Sequence, residues 1–122
     1  MCRFYLEYEE NTIYLHNLSN NVQIMDNTFI GQIEGTLKQN WDLDALTDYN
    51  GSTLQYKDVA RKIEKMHILM AEGGVEKGDK IAICGRNSSH WGVAFLATVT
   101  YGAVAVPILH EFTPEVVHNI VN

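Results

Sequence analysis

Cys84 and His90 lie six positions apart, the cysteine closing an apolar run and the histidine following a polar turn. A thiol beside an imidazole is how a nucleophile is paired with its general base. The setting favours another reading. Cys84 ends the run Lys80-Ile81-Ala82-Ile83, and a thiol at the end of a buried strand packs as a small hydrophobe. His110 and His118 stand eight apart, with Glu111 and Glu115 between them. Zinc ligands on a helix want three- or four-residue spacing, and these two straddle a loop, so no metal centre is predicted.

Phosphate chemistry would need backbone donors and a Lys around the phosphates, plus a group to hold Mg²⁺. No G-x-x-x-x-G-K-[ST] sequence occurs, and the turn Gly85-Arg86-Asn87-Ser88 lacks the G-x-G-x-x-G pattern. Gly85 is read as the residue that lets the backbone turn. Arg86 is read as a solvated surface cation rather than an anion ligand. Met66, Leu69 and Met70 read as core. Glu7, Glu9 and Glu10 read as a solvated acidic run, although alternation with Tyr8 also suits an edge strand. No catalytic, cofactor-binding or metal-binding residue is assigned.

The elements behind these residues begin near Asp26. Residues 26–40 carry Phe29, Ile30, Ile33 and Leu37 on one side, the pattern of an amphipathic helix, with Asp26 or Thr28 as its cap. Residues 44–48 and 52–55 read as two strands joined at Tyr49-Asn50-Gly51, because Asn-Gly tolerates positive φ at both positions. A helix over 56–72 follows, with Val59, Ile63, Met66 and Met70 three and four apart, ended by a left-handed cap at Gly73-Gly74. Then comes a β-α-β-α series: a short buried strand over 80–84, a helix over 88–101 capped by Asn87 or Ser88, and a strand over 103–108. Gly102 closes that helix, which is apolar nearly all round and is expected to be buried on more than one side. Thr113-Pro114-Glu115 opens the last helix with an N-cap, a proline at the first position and an acid near the positive end of the dipole. Two strands flanking a helix predict a right-handed parallel crossover.

Composition limits the function classes. With 46% hydrophobic and 20% charged residues over 122 positions, the chain suits one globular domain with a modest core. A net charge of −6 argues against nucleic acid, whose binding needs clustered Lys and Arg. Cys2 and Cys84 show no disulfide framework, and the start turns acidic without a secretory apolar run, so the cytosol is the expected compartment. Residues 87–110 hold no Asp, Glu, Lys or Arg and include an apolar run from Trp91 to Leu109. Gly102 and Pro107 break that run, so helix followed by buried strand accounts for it better than a membrane span does.

Several of these pieces resemble one known family. Ala45-Leu46-Thr47-Asp48 followed by Leu54-Gln55-Tyr56-Lys57-Asp58-Val59-Ala60 resembles the opening hairpin and first helix of adenylate-forming enzymes. Gly74-Val75-Glu76-Lys77-Gly78-Asp79-Lys80-Ile81-Ala82-Ile83 resembles their GV-x-KGD-x-VAI stretch. Asn87-Ser88-Ser89-His90-Trp91 and Gly102-Ala103-Val104-Ala105-Val106-Pro107 resemble the helix and strand that follow. The order and spacing of the four pieces are more specific than any one of them, and the overall look is most like long-chain fatty acid–CoA ligases. The resemblance implies the first subdomain of a large N-terminal domain. It also implies an enzyme that joins a carboxylic acid to AMP using ATP and Mg²⁺, then passes the acyl group to coenzyme A. The family's phosphate loop, its adenine and ribose contacts and its catalytic Lys lie downstream of the matched region, so none is carried onto this chain.

The expected fold is therefore α/β, a partial parallel sheet with a β-α-β crossover and a small N-terminal β-hairpin. Residues 1–25 form a poorly defined extension, with Met25 as an alternative start. Residues 26–122 form a truncated AMP-binding-type domain, since the last helix reaches Asn122 with apolar residues and no C-cap. Expected partners are the remainder of the ligase or a complementary chain, with self-association through the exposed apolar helix; the chain alone is not expected to catalyse. The alternative is a non-catalytic interaction module or half of a split ligase.

Overall fold

The computed structural model describes residues 5–9, 12–16 and 28–122. The backbone of β1 (Tyr5–Glu9) pairs antiparallel with β2 (Thr12–His16). Glu7 and Glu9 therefore fall in a strand, while Cys2, Glu10, Met25 and the alternative cap Asp26 lie outside the described residues.

Helix α1 (Phe29–Gln39) starts where a side chain first satisfies its amides. Thr28 Oγ1 accepts the Gly31 N–H at 3.1 Å, which settles the choice of cap. Strands β3 (Asp44–Thr47) and β4 (Thr53–Gln55) form the hairpin, with a register shift between Asp44 and Leu46. Its turn departs from expectation, since Asn50 takes a positive φ of 53° but Gly51 does not. Gly51 is needed for space, because a Cβ there would sit 2.8 Å from the Asp48 Cβ.

Helix α2 (Tyr56–Glu72) matches its predicted bounds. Asp58 accepts the Gln55 backbone N–H at 3.0 Å at its start. At its end Gly73 is right-handed and Gly74 carries the left-handed φ of 76°, so the reversal lies one residue later than Gly73. Parallel strands β5 (Lys80–Cys84) and β6 (Val104–Ile108) run in register from Lys80 beside Val104 to Cys84 beside Ile108. Between them, α3 (Ser89–Tyr101) starts on Ser88, whose hydroxyl accepts the Trp91 N–H, and ends on left-handed Gly102. α4 (Pro114–Val121) follows. The architecture is thus α/β, with an antiparallel hairpin and a parallel β-α-β pair.

The core lies between α2 and α3. Val59, Ile63 and Met70 meet Val93 and Ala97, and Leu37, Leu46, Leu54 and Leu96 pack around them. Each such aliphatic residue contributes about 1.5–3 kcal/mol when its side group is fully buried. Two expectations fail here for one reason, that apolar faces outnumber the layers covering them. Leu69 is 62% exposed rather than core. β5 buries Ile83 but leaves Ala82 and Cys84 exposed, so it is not a buried strand. In α3 the fully buried positions are Ser89, Val93, Ala97 and Thr98, with Trp91, Phe95 and Val99 half-buried. The helix packs against α2 and also against β5 and β6, so it is covered on more than one side as expected. α4 buries nothing, with Ile120 and Val121 both exposed, which agrees with the exposed apolar helix expected there. The end of α4 is not bare, however, because the backbone and side-chain amides of Asn122 both donate to the His118 carbonyl.

Candidate functional site

In a parallel sheet, ligands gather beyond the carboxyl ends of the strands. Here that edge is made by Cys84, Gly85 and Arg86 after β5 and by Leu109, His110 and Glu111 after β6, with the starts of α3 and α4 beside it. Most of the residues singled out from the sequence fall at this edge. They do not assemble into a catalytic group.

Cys84 is exposed, and neither it nor His90 donates to or accepts from the other. The expected packing of its thiol is corrected accordingly, but the conclusion that the pair is no nucleophile and base does not depend on it. His110 faces Glu111 across 3.9 Å at the surface. His118 lies in the middle of α4 and meets Asn122. Among the described residues no three His, Cys, Asp or Glu side chains converge on a point where a metal would sit.

Both helix starts at this edge offer positive dipole ends, and both are already filled. Asp48, from the β3–β4 turn, accepts the Ser89 N–H on Oδ1 at 2.6 Å and the Ser89 hydroxyl on Oδ2 at 2.7 Å. The Ser89 amide, then its hydroxyl, hold the Asp48 carboxyl below its ordinary value, and the charge of His90 adds to this against a smaller opposing effect of burial. At α4 the Glu115 carboxyl is held below its ordinary value, first by its own backbone N–H and then by the Thr113 hydroxyl. The Thr113 side chain makes no hydrogen bond to the helix amides, so the expected N-cap is filled by position but not by its hydroxyl. A phosphate approaching either helix start would meet a carboxylate. The described residues do not form a cradle for the phosphates of ATP, and Gly85 serves the turn, with Trp91 Cδ1 lying 3.8 Å from where its Cβ would be.

The second concave feature is apolar. A groove of about 340 Å³ runs between α1, the hairpin, α2 and α3, lined by Phe29, Ile33, Leu37, Leu46, Val59 and Leu96, among others. It carries no charged side chain, and its polar lining is limited to Gln32, Thr36 and Tyr56. His67 fixes the opposite side of the α2–α3 contact. Its Nε2 lies 3.0 Å from the Ala97 carbonyl and 3.0 Å from Thr100 Oγ1. The carbonyl can only accept, so Nε2 bears the proton. Burial lowers the His67 pKa, and the bond to Ala97 opposes the shift. Sequence reading missed both Asp48 and His67. Each makes its contact across 30 or more positions, which local spacing does not report.

No helix among the described residues is long and apolar enough to cross a membrane. A family model described as AMP-binding enzyme matches residues 33–122. The putative acyl–CoA ligase YdaB of Bacillus subtilis (strain 168) is 31% identical over 62 residues, which are 51% of this chain and 12% of that protein. The anthranilate CoA ligase AuaEII in complex with anthranoyl-AMP superposes with a TM-score of 0.70 at 21% identity, over 75% of this chain and 18% of the other. The N-terminal subdomain of Klebsiella oxytoca NpsA in complex with 3-hydroxyanthranilyl-AMSN gives 0.69 at 19% identity, over 76% and 24%. The chain spans between 2% and 12% of the length of the curated relatives it matches.

Proposed function

Given that this chain belongs to the AMP-binding enzyme family, we propose that it supplies the opening part of the N-terminal domain of an AMP-forming acyl-CoA ligase. In that family's chemistry a carboxylic acid displaces pyrophosphate from ATP to give acyl-AMP, and the thiol of coenzyme A then displaces AMP. The observation that carries the reading is the match over residues 33–122, which takes in α2, β5, α3, β6 and α4 in order. The role of this segment is to form a packed platform, α3 held against both α2 and the parallel strands, against which the rest of such a domain is assembled. The exposed apolar residues of α4 and the uncovered side of β5 support a partner of that kind, whether the remainder of the ligase or a complementary polypeptide.

The acid is proposed to be a long-chain fatty acid. Supporting this is the overall look of the matched pieces, which is most like long-chain fatty acid–CoA ligases. The 31% identity with the putative acyl–CoA ligase YdaB supports an acyl acid without specifying its length. An aryl acid is the second class to assay, since the superposable ligase AuaEII holds anthranoyl-AMP. The cytosol is the proposed compartment, as Cys84 is unpaired and exposed.

The test is to read the gene past the Asn122 codon and to assay its full product with ATP, Mg²⁺, coenzyme A and a panel of fatty and aryl acids. The expected result is an in-frame continuation containing a Gly/Ser/Thr-rich loop with a Lys, and acid-dependent release of AMP. The 122-residue chain assayed alone should release none. A stop codon after Asn122, with the short protein present in cells, would overturn the ligase reading in favour of an interaction module.

A further inference from the structure

The β3–β4 turn carries the protein's single Asn-Gly sequence, Asn50-Gly51. Both residues are exposed, and Asn50 holds a left-handed φ of 53°. Gly51 has no side group to shield its backbone nitrogen from the Asn50 amide. What restrains that nitrogen is one hydrogen bond, donated to the Asp48 carbonyl at 2.9 Å. The same Asp48 holds the start of α3 through both of its carboxylate oxygens. A single turn thus joins a reactive dipeptide to the contact that docks the hairpin on α3.

We propose that Asn50 is a modification site, deamidating spontaneously through a succinimide, and that its reaction rate is governed by the Asp48–Ser89 contact. Once the turn opens and Gly51 N–H loses its proton to solvent base, the nitrogen attacks Cγ of Asn50. A bond forms between that nitrogen and Cγ, the bond from Cγ to Nδ2 breaks, and the amide leaves as ammonia with a proton from solvent. Water then adds to either ring carbonyl, returning a proton to the nitrogen and leaving aspartate or isoaspartate. No oxidant or reductant is involved. The product adds one negative charge to a protein already at −6 and, by the isoaspartate route, one backbone carbon to the turn that aims Asp48.

Opening of this turn is a local event whose frequency depends on the contacts that close it. Asp48→Ala and Ser89→Ala each remove part of that closure, and Ser89→Ala leaves the turn's own residues intact. The experiment incubates the full protein at mildly alkaline pH and follows each asparagine by peptide mass spectrometry, with isoaspartate detected by enzymatic methylation. Asn50 is expected to convert several-fold faster than exposed Asn87, which precedes Ser88, and both variants are expected to accelerate it further. Conversion of Asn50 no faster than Asn87 overturns the site. An unchanged Asn50 rate in both variants, each shown by circular dichroism to be folded, overturns the coupling to Asp48 and Ser89.

Discussion

Asp48 and Ser89, 41 positions apart, meet through both carboxylate oxygens, one taking the Ser89 backbone N–H and the other its hydroxyl. This joins the hairpin turn to the first turn of α3 and places a fixed negative charge at the helix's positive end. Because these contacts lower the Asp48 pKa, the ionised carboxylate favours the folded state. That contribution is full above the unfolded carboxyl's ordinary value of 3.8 and is lost as pH falls through the lower folded value. Asp48→Asn should lower the melting temperature at neutral pH and flatten the acid limb of the stability curve, as followed by thermal denaturation across pH.

His67 gives a second pH dependence in a different window. Its folded pKa lies below the ordinary 6.5, chiefly through burial. Between the two values the unfolded state holds more protons than the folded one, so stability rises with pH there. The contribution is fully present above 6.5 and is lost as pH falls toward the folded value. His67→Gln should remove that slope while keeping a donor toward the Ala97 carbonyl. Urea midpoints measured through the acid-to-neutral range would show the difference, and an unaltered slope in the variant would assign it elsewhere.

The α2–α3 core is tight enough to distinguish cavity from crowding. Ile63 is 7% exposed and Ala97 fully buried. Ile63→Ala should cost about 2–5 kcal/mol through lost burial and an incompletely collapsed cavity. Ala97→Leu should cost about 1–3 kcal/mol by overpacking, despite adding apolar surface. Equilibrium urea unfolding reads both, and a stabilising Ala97→Leu would mean that the helices separate more easily than their packing implies.

Two glycines should respond in opposite directions to alanine. Gly102 sits at φ 91° with the Lys77 side chain 3.3 Å from where a Cβ would lie. Gly102→Ala should destabilise by about 1 kcal/mol or more, since the left-handed cap disfavours a Cβ. Gly35 lies inside α1 with nothing within 4 Å of that position. Gly35→Ala should stabilise by about 0.4–1 kcal/mol through backbone entropy and helix propensity. Thermal melts of the two variants against the parent protein check the signs.

Local signals carried most of the fold. The bounds of α2 and β5 followed from apolar spacing and from Gly73-Gly74, and the start of α3 from Ser88, because caps and turns act over a few residues. Burial was less legible. The apolar character of Leu69 and of the strand ending at Cys84 said that these positions could be covered, but coverage depends on which layers pack against them. The roles of Asp48 and His67 required knowing which turn meets which helix, and no spacing rule reaches across 30 or more positions. Family membership was legible from four ordered pieces. The acid substrate was not, since the contacts among the described residues join this segment to itself.

Trp91 stacks on Phe95 with ring centroids 5.7 Å apart and planes 6° from parallel, half-buried on α3 and beside Gly85. That placement puts an intrinsic fluorophore at the carboxyl edge of β5. Its emission is therefore a built-in optical reporter of whatever reaches that edge. Covering the ring pair should shift the spectrum to the blue and protect it from a dissolved quencher, so docking can be titrated without attaching a label. Trp41, near the Lys57 end of α2, is the other tryptophan. Replacing it with Phe would leave the signal to Trp91 alone.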